Sequence, residues 1–386
     1  MVSTLLDLGE ADKAHFFHPQ TNLATHEAVG PLIVARGEGV YIWDTAGRRY
    51  LEGLAGLWCC SLGFSEPRLS AAAQKQFDIL PYMHGFGGRS HEPAIRLSAE
   101  LARRAPIKDG HVFFACSGSE ANDTAIKMAW YYNNALGRPK KKRIIARDRA
   151  YHGVTVVSGS LTGLPHIHTD FDLPIDSVVR VACPHHWKYA RQGETEAEFT
   201  ARLALDLEET IAREGADTIA AMIAEPLIGA GGVLLPPEGY FAAIQPILKR
   251  HDILLIADEV ITGFGRTGAY WGSETFGMKP DMLVCAKALS AGFQPISAII
   301  VSDDIFRPIQ DRAGKNGSFA HGFTWSAHPV ACAVALETLA IYDERDVFAH
   351  VRAVAPHFEA RMLALQAHPI VGHARAIGLV GAIEFA

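Results

Sequence analysis

Ile253-Leu254-Leu255-Ile256-Ala257-Asp258 is an unbroken apolar run that ends on an acid, and Met282-Leu283-Val284-Cys285-Ala286-Lys287 is a second run that ends on a base. A half-buried strand alternates polar and apolar residues, whereas a strand covered on both faces stays apolar along its length. Both runs are of the second kind, and Val112 to Ala115, Val178 to Val181, Ile219 to Ala224 and Ile296 to Val301 are nearly unbroken in the same way. Helical patterns lie between them: Phe199, Leu203, Leu207 and Ile211 share one face, leaving Arg202, Glu208 and Arg213 for water. This alternation predicts an α/β fold, a mainly parallel sheet wrapped by helices.

At 386 residues and 49% apolar, the chain can bury one large core and a smaller lobe. Its net charge of −6, from 36 basic and 42 acidic residues, offers no basic face for a phosphate backbone and no polybasic tail. Neither nucleic acid nor a membrane is expected as a partner. The densest basic run, Lys140-Lys141-Lys142-Arg143, reads as a solvated turn between a helix and a strand. The acidic stretch from Met1 to Glu10 has no apolar segment of signal-peptide length, and nothing reaches the ~20 apolar residues needed to span a bilayer. A cytoplasmic location is therefore expected. Cys59, Cys60, Cys116, Cys183, Cys285 and Cys332 show no CxxC spacing and read as reduced thiols, not as disulfides or zinc ligands.

In an open parallel sheet, ligands bind outside the carboxyl ends of the strands. Asp258 and Lys287 both fall at that rim. A lysine there is costly to keep charged once desolvated, which frees its amine to attack a carbonyl. After Val112-Phe113-Phe114-Ala115 comes Cys116-Ser117-Gly118-Ser119-Glu120-Ala121-Asn122, running into a helical stretch through Trp130. Helix-start amides with two hydroxyls make an anion site. Each element alone has a plainer reading: a surface lysine, a Ser-capped helix, a turn aspartate. An apolar strand ending in Asp-Glu also suits a nucleotidase, but the required GxxxxGK[ST] loop is absent, since Gly314-Lys315 is followed by Asn316. Gly263 to Gly268 fits GxGxxG, yet it starts well after its strand and leads to Gly272, Gly277 and Pro280, not a helix. Jointly, phosphate cradle, nucleophilic lysine and carboxylate describe a pyridoxal phosphate site.

The sequence here resembles the class III aminotransferases, or ω-transaminases, which are fold type I pyridoxal-phosphate enzymes. The resemblance runs from about Asn22 to the end. It rests on Ser117 to Asn122, Tyr151-His152-Gly153, Glu225-Pro226, Asp258-Glu259-Val260 through Gly268, Ala286-Lys287, and His321-Gly322-Phe323-Thr324-Trp325-Ser326-Ala327-His328-Pro329. It implies that Lys287 bonds covalently to the cofactor and shuttles the proton while Asp258 pairs with the ring nitrogen. It further implies cofactor contacts from Ser117, Gly118, Ser119, Tyr151, His152, Glu225, Val260, Phe323 and Thr324, with Tyr151 and Val260 on opposite ring faces. Thr324 would reach the phosphate of the partner subunit, making a homodimer with shared sites. Trp58, Tyr151, Ala230 and Phe86 of the neighbouring chain would line the substrate pocket; by residue type alone, Trp58 and Phe86 read as core aromatics. The run Gly85-Phe86-Gly87-Gly88 suggests a roomier pocket than usual. His152 and His321 fit structural hydrogen bonds better than catalysis, and His166/His168 and His185/His186 read as loop residues without a metal-ligand pattern.

The resemblance implies residues 1–54 as an N-terminal segment contributing to a small domain, 55–328 as the large cofactor-binding domain, and 329–386 as the start of a C-terminal small α+β domain. Val347, Val351, Val354, Phe358, Met362 and Leu365 follow helical spacing before a Gly-rich stretch from Gly372 to Gly381. Related chains continue beyond the segment resembling Ala376 to Glu384 and supply a mobile arginine for substrate carboxylates. This chain ends at Ala386, so the small domain is expected to be incomplete and that arginine is unassigned. The expected reaction moves an amino group from a primary amine or ω-amino acid to a keto acid, pyruvate in many such enzymes. A racemase, aminomutase or decarboxylase would use the same residues, and a catalytically silent binding protein is the reading from another class.

Overall fold

The computed structural model describes residues 6–386; the N-terminal reading on Met1 to Leu5 lies outside the described residues. The strands are β1 (Val34–Glu38), β2 (Tyr41–Asp44), β3 (Arg49–Leu51), β4 (His111–Ala115), β5 (Arg143–Arg147), β6 (Val178–Val181), β7 (Ile219–Ala224), β8 (Leu254–Asp258), β9 (Met282–Cys285), β10 (Ser297–Val301), β11 (Val371–Ile377) and β12 (Val380–Phe385). By contact density the chain forms two units, Met1–Pro67 and Arg68–Ala386.

In the first unit, β1, β2 and β3 make an antiparallel sheet. Asp44 pins the β2–β3 turn: its carboxylate accepts from the Ala46 and Arg48 amides, Arg48 Nε and the Tyr50 hydroxyl. The turn carrying Trp58 holds Ala55, Leu57 and Trp58 at φ of 51°, 64° and 69°, a left-handed conformation that is uncommon for such residues.

In the second unit, the predicted apolar runs form one seven-stranded sheet in the order β4-β10-β9-β8-β7-β5-β6. Every residue of β7, β8, β9 and β10 is buried, the condition that makes an unbroken apolar strand stable. Pairings from β6 through β9 are parallel, and β10 runs against both β4 and β9. That reversal leaves no mark in the sequence, because a fully covered strand looks the same in either direction.

The helix Gly118–Ala135 lies across the sheet, touching β4 and β7 to β10. Ala121, Ala125 and Ala129 recur on its buried face, small enough for close approach. Ser117 and Glu120 form its capping box. The helix Glu196–Glu214 buries Phe199, Leu203, Leu207 and Ile211 as its spacing predicts, and the predicted C-terminal helix is Val347–Ala364, followed by the β11–β12 hairpin. Lys140-Lys141-Lys142-Arg143 is not a solvated turn throughout. Lys141 is 6% exposed and donates to the carbonyls of His251 and Asp252 at the end of the helix Tyr240–Arg250, where the helix dipole favours a cation. Arg143 opens β5 and pairs with Glu214. No helix among the described residues is long and apolar enough to cross a membrane.

Candidate active site

β8 and β9 are parallel neighbours, with Asp258 opposite Val284. Hydrogen-bonded strands lie about 4.8 Å apart, and Lys287 comes just past the end of β9 at Cys285. Acid and amine therefore leave the sheet at one edge. Lys287 is half-buried between buried Ala286 and Ala288. Its φ of 48° is rare for a side-chain-bearing residue. Such a conformation costs on the order of 1–3 kcal/mol and concentrates at functional sites, where surrounding structure holds it.

Asp258 is 3% exposed, so its charge must be compensated locally. Asn122 Nδ2 donates to Asp258 Oδ2 at 2.8 Å and to the His152 carbonyl at 2.7 Å. His152 Nδ1 lies 2.8 Å from the same Oδ2, and the Val260 amide donates to Oδ1 at 3.1 Å. An ionised Asp258 needs the imidazole proton on Nδ1, while His152 Nε2 is buried without a hydrogen-bond partner. The structural bond expected of His152 is thus made to Asp258 itself. Asn122 lies inside the serine-glycine motif yet was given no role in the sequence reading. The available signal was its position: a carboxamide one turn into a helix, on the face that buries Ala121 and Ala125.

The helix start is built around Ser117. Its Oγ accepts from the Glu120 amide at 3.2 Å, and Glu120 Oε2 accepts from the Cys116 and Ser117 amides at 2.8 and 3.1 Å. Ser297, which opens the reversed strand β10, donates its hydroxyl to the Ser117 carbonyl at 2.8 Å. This arrangement leaves the first-turn amides of Gly118 and Ser119 for an anion at the positive end of the helix. A Cβ on Gly118 would lie 3.2 Å from both methyls of Val260. A Cβ on Gly153 would lie 2.3 Å from Ser119 Oγ, and Gly153 has φ of 130°. Residues 117–119, 151–154 and 258–260 therefore meet at one place.

Glu225 follows β7 and is 3% exposed. Its Oε1 accepts from the Tyr151 amide at 3.0 Å and its Oε2 from the Gly229 amide at 2.8 Å, fixing the backbone that carries Tyr151. Burial pushes the Glu225 carboxyl above the ordinary carboxylate range, Asp258 adds to this, and His152 and Arg147 oppose it. Burial, then the charges of Asp258 and Glu225, likewise raise the Tyr151 hydroxyl.

The remaining expected residues fall outside this knot or cannot be joined to it from one chain. Thr324 is exposed and its carbonyl accepts from the Tyr82 hydroxyl at 2.9 Å; the Phe323 amide donates to Ser326 Oγ. Phe86 is 50% exposed, not a core aromatic, and its ring lies 2.6 Å from where a Gly322 Cβ would sit. With Tyr82 and Trp325 it forms an aromatic surface around Thr324. Ala230 is exposed, and Trp58 is half-buried in the first unit. His321 accepts from Lys127 and bonds Thr124, a structural role as expected. His185 is no simple loop residue: it is 3% exposed and lies 3.2 Å from Glu384. The six cysteines, all among the described residues, form no disulfide with one another. Among the described residues, Asp12, His18 and His26 bring metal-ligand atoms together, but the Asp12 carboxylate is already bonded by both imidazoles.

The residues fit pyridoxal phosphate. Gly118 and Ser119 would hold the phosphate, Asp258 the ring nitrogen, Tyr151 and Val260 the ring faces, and Lys287 the aldehyde. The tight contacts at Gly118 and Gly153 and the buried, doubly bonded carboxylate of Asp258 are the structural grounds.

The model of the class III aminotransferase family matches residues 23–386. The mitochondrial γ-aminobutyrate transaminase 1 of Oryza sativa subsp. indica is 53% identical over 359 residues, covering 93% of this chain and 70% of the relative. The corresponding Solanum lycopersicum protein is 52% identical over 359 residues, with the same coverage of both chains, 93% and 70%. Among solved structures, the ω-transaminase of Pseudomonas jessenii in complex with PMP is similar at a TM-score of 0.97 and 49% identity, covering 98% of this chain and 84% of that one. A thermostable ω-transaminase variant engineered for asymmetric synthesis of enantiopure bulky amines matches equally well, at a TM-score of 0.97.

Proposed function

The chain belongs to the class III aminotransferases, enzymes that work with pyridoxal phosphate, and from that premise we propose that it moves an amino group from a primary amine or ω-amino acid to pyruvate, as a homodimer with shared sites. The observation that carries this reading is the buried Asp258, locked by Asn122 and His152, at the sheet edge from which Lys287 also emerges. The names of the relatives support an ω-amino acid as donor, and those of the solved structures support amines more broadly.

Bound pyridoxal phosphate supplies an aldehyde and an electron-poor ring that withdraws electrons from the substrate carbon. The chain's own residues do the rest. Lys287 would provide the amine that holds the cofactor and would carry a proton to and from the substrate carbon. Asp258, kept from turning by Asn122 and His152, would hold the proton on the ring nitrogen. Glu225 fixes the backbone that carries Tyr151, whose side chain would lie on one ring face. The aromatic surface of Tyr82, Phe86 and Trp325 around Thr324 supports a partner subunit, because apolar side chains gathered on a surface favour a protein neighbour. For the compartment we propose the cytoplasm, supported by six thiols without a disulfide.

The test is a panel of amines and ω-amino acids with pyruvate, scored by alanine formation, on wild type and Lys287→Ala. Wild type should form alanine and show a visible cofactor band fixed by borohydride; Lys287→Ala should lose both. Alanine formation at the wild-type rate by Lys287→Ala, or none by wild type with any donor, overturns the proposal.

A further inference from the structure

We propose that Arg375, on the C-terminal hairpin, is a positioning residue that sets the wall of the substrate pocket by fixing the loop of residues 228–234. The inference rests on the functional reading above together with the expectation that Ala230 lines the substrate pocket.

The loop leaves β7 just after Glu225 and is closed by a bridge in which Ile228 and Leu234 exchange backbone hydrogen bonds at 3.0 and 2.8 Å. Residues 221–229 are buried and Gly231 is buried, whereas Ala230 between them is exposed. A loop of this kind presents one small side chain and hides everything else. It also presses on the chain that carries Tyr151: a Cβ on Gly231 would sit 1.9 Å from the Arg149 carbonyl oxygen. Any shift of the loop is therefore felt beside the cofactor ring.

Charged side chains hold this loop from several sides. Glu225 takes the Gly229 amide at 2.8 Å. Arg149 donates from Nε and Nη2 to the Gly231 carbonyl at 3.2 and 2.8 Å. Arg375 takes the next two carbonyls: Nε bonds those of Gly232 and Val233, both at 3.0 Å, and Nη2 bonds Gly232 again at 2.6 Å. Arg375 is 5% exposed, and its remaining donors meet His373 Nδ1 at 2.9 Å and Glu384 Oε2 at 3.1 Å. All three guanidinium nitrogens are thus engaged, with a carboxylate behind and carbonyls in front.

The loop would not keep this shape unaided. Val233 has φ of 51°, a genuine outlier for a β-branched residue, and Gly232 has φ of 131°. Conformations of this kind persist only where neighbouring bonds over-determine them. At Gly232 and Val233 those bonds are of two kinds: the Gly229 carbonyl takes both amides, at 3.0 and 2.8 Å, and Arg375 takes both carbonyls. Without the Arg375 bonds the strained Val233 is held on its amide side alone, so its peptide can turn and the bridged loop, with Ala230, can move with it.

The experiment compares Arg375→Ala, Arg375→Lys and Glu359→Ala in the full chain. Hydrogen–deuterium exchange of cofactor-free protein reads the loop directly: residues 228–234 should exchange faster in Arg375→Ala, and β9 should not. In the loaded enzyme, the ratio of kcat/KM for a bulky arylalkyl amine to that for a straight-chain ω-amino acid should change by at least about tenfold in Arg375→Ala and return toward wild type in Arg375→Lys. Glu359→Ala, which removes the carboxylate that takes the Gly378 amide at 2.7 Å and so loosens the hairpin at its turn without touching Arg375, should lower stability and leave the ratio unchanged. Equal loss for both donors, a shifted ratio in Glu359→Ala, or unchanged loop exchange in Arg375→Ala each overturns the assignment. Should wild type transfer no amino group at all, the functional reading falls, and the exchange experiment still decides whether Arg375 fixes the loop.

Discussion

Asp258→Asn separates the acid's charge from its shape. In the native site Oδ2 receives two donors at 2.8 Å, Asn122 Nδ2 and His152 Nδ1, and Oδ1 receives the Val260 amide at 3.1 Å. An asparagine can aim its oxygen at Asn122 and His152 only by turning its own NH2 toward the Val260 amide, donor against donor. The opposite orientation sets the NH2 against two donors. Either way a buried donor loses its acceptor, which costs about 1–3 kcal/mol. Cofactor binding should weaken by no more than about tenfold to a hundredfold on that account. Turnover should fall further, by about 10²–10³, because a preorganised charge in a dry site is worth about 2.7–4 kcal/mol to the transition state. Absorbance titration of the cofactor gives the first quantity, and stopped-flow transfer from a saturating amine donor gives the second. If saturated Asp258→Asn turns over within about threefold of wild type, the carboxylate is not holding a proton on the ring and the mechanism is wrong.

Two further outcomes follow from the same geometry. Gly153→Ala should destabilise the chain by about 2–6 kcal/mol, the sum of a conformation closed to side chains and an overpacked contact with Ser119. Urea unfolding with no change in midpoint would contradict the contact. The docked hairpin should loosen in acid: burial holds His185 down to about 4, from an ordinary value of 6.5. The unfolded chain therefore takes up this proton first as pH falls, so the stabilisation is complete above 6.5 and is lost progressively toward 4, by about 3 kcal/mol. Against the push of burial, bonds from His185 and Arg375 hold the Glu384 carboxyl below its usual range, so it adds to the loss at still lower pH. His185→Gln should flatten the dependence of unfolding free energy on pH across that window; an unchanged slope would assign it elsewhere.

The strands that matter most were visible in the sequence because they are covered on both faces, and burial on both faces is what leaves an apolar run. The strands of the small antiparallel sheet, β1 to β3, have mixed exposure and give no such run. Lys287, Asp258 and the Ser117 helix start were legible because each directly follows such a run. Asn122 and Ser297 were not assigned, since their roles depend on which strands lie side by side, and the order β4-β10-β9-β8 is set by long-range pairing, not by local pattern. Lys141 was misjudged for a related reason: composition shows a charge run, but only packing shows that one of its members caps a distant helix. Glu225 and Tyr151 came from resemblance, and the backbone bond that joins them has no trace in residue type.

Asp258 ends β8 and Lys287 follows the end of β9, two strands whose backbones are laced together, Asp258 opposite Val284. The strands that deliver acid and amine are accordingly held at a lattice spacing, as fixed as the distance between two rungs, while the pocket walls hang on loops that can be swapped or reshaped. A protein so arranged can drift from one amine to another over evolutionary time without its chemical yardstick ever changing length.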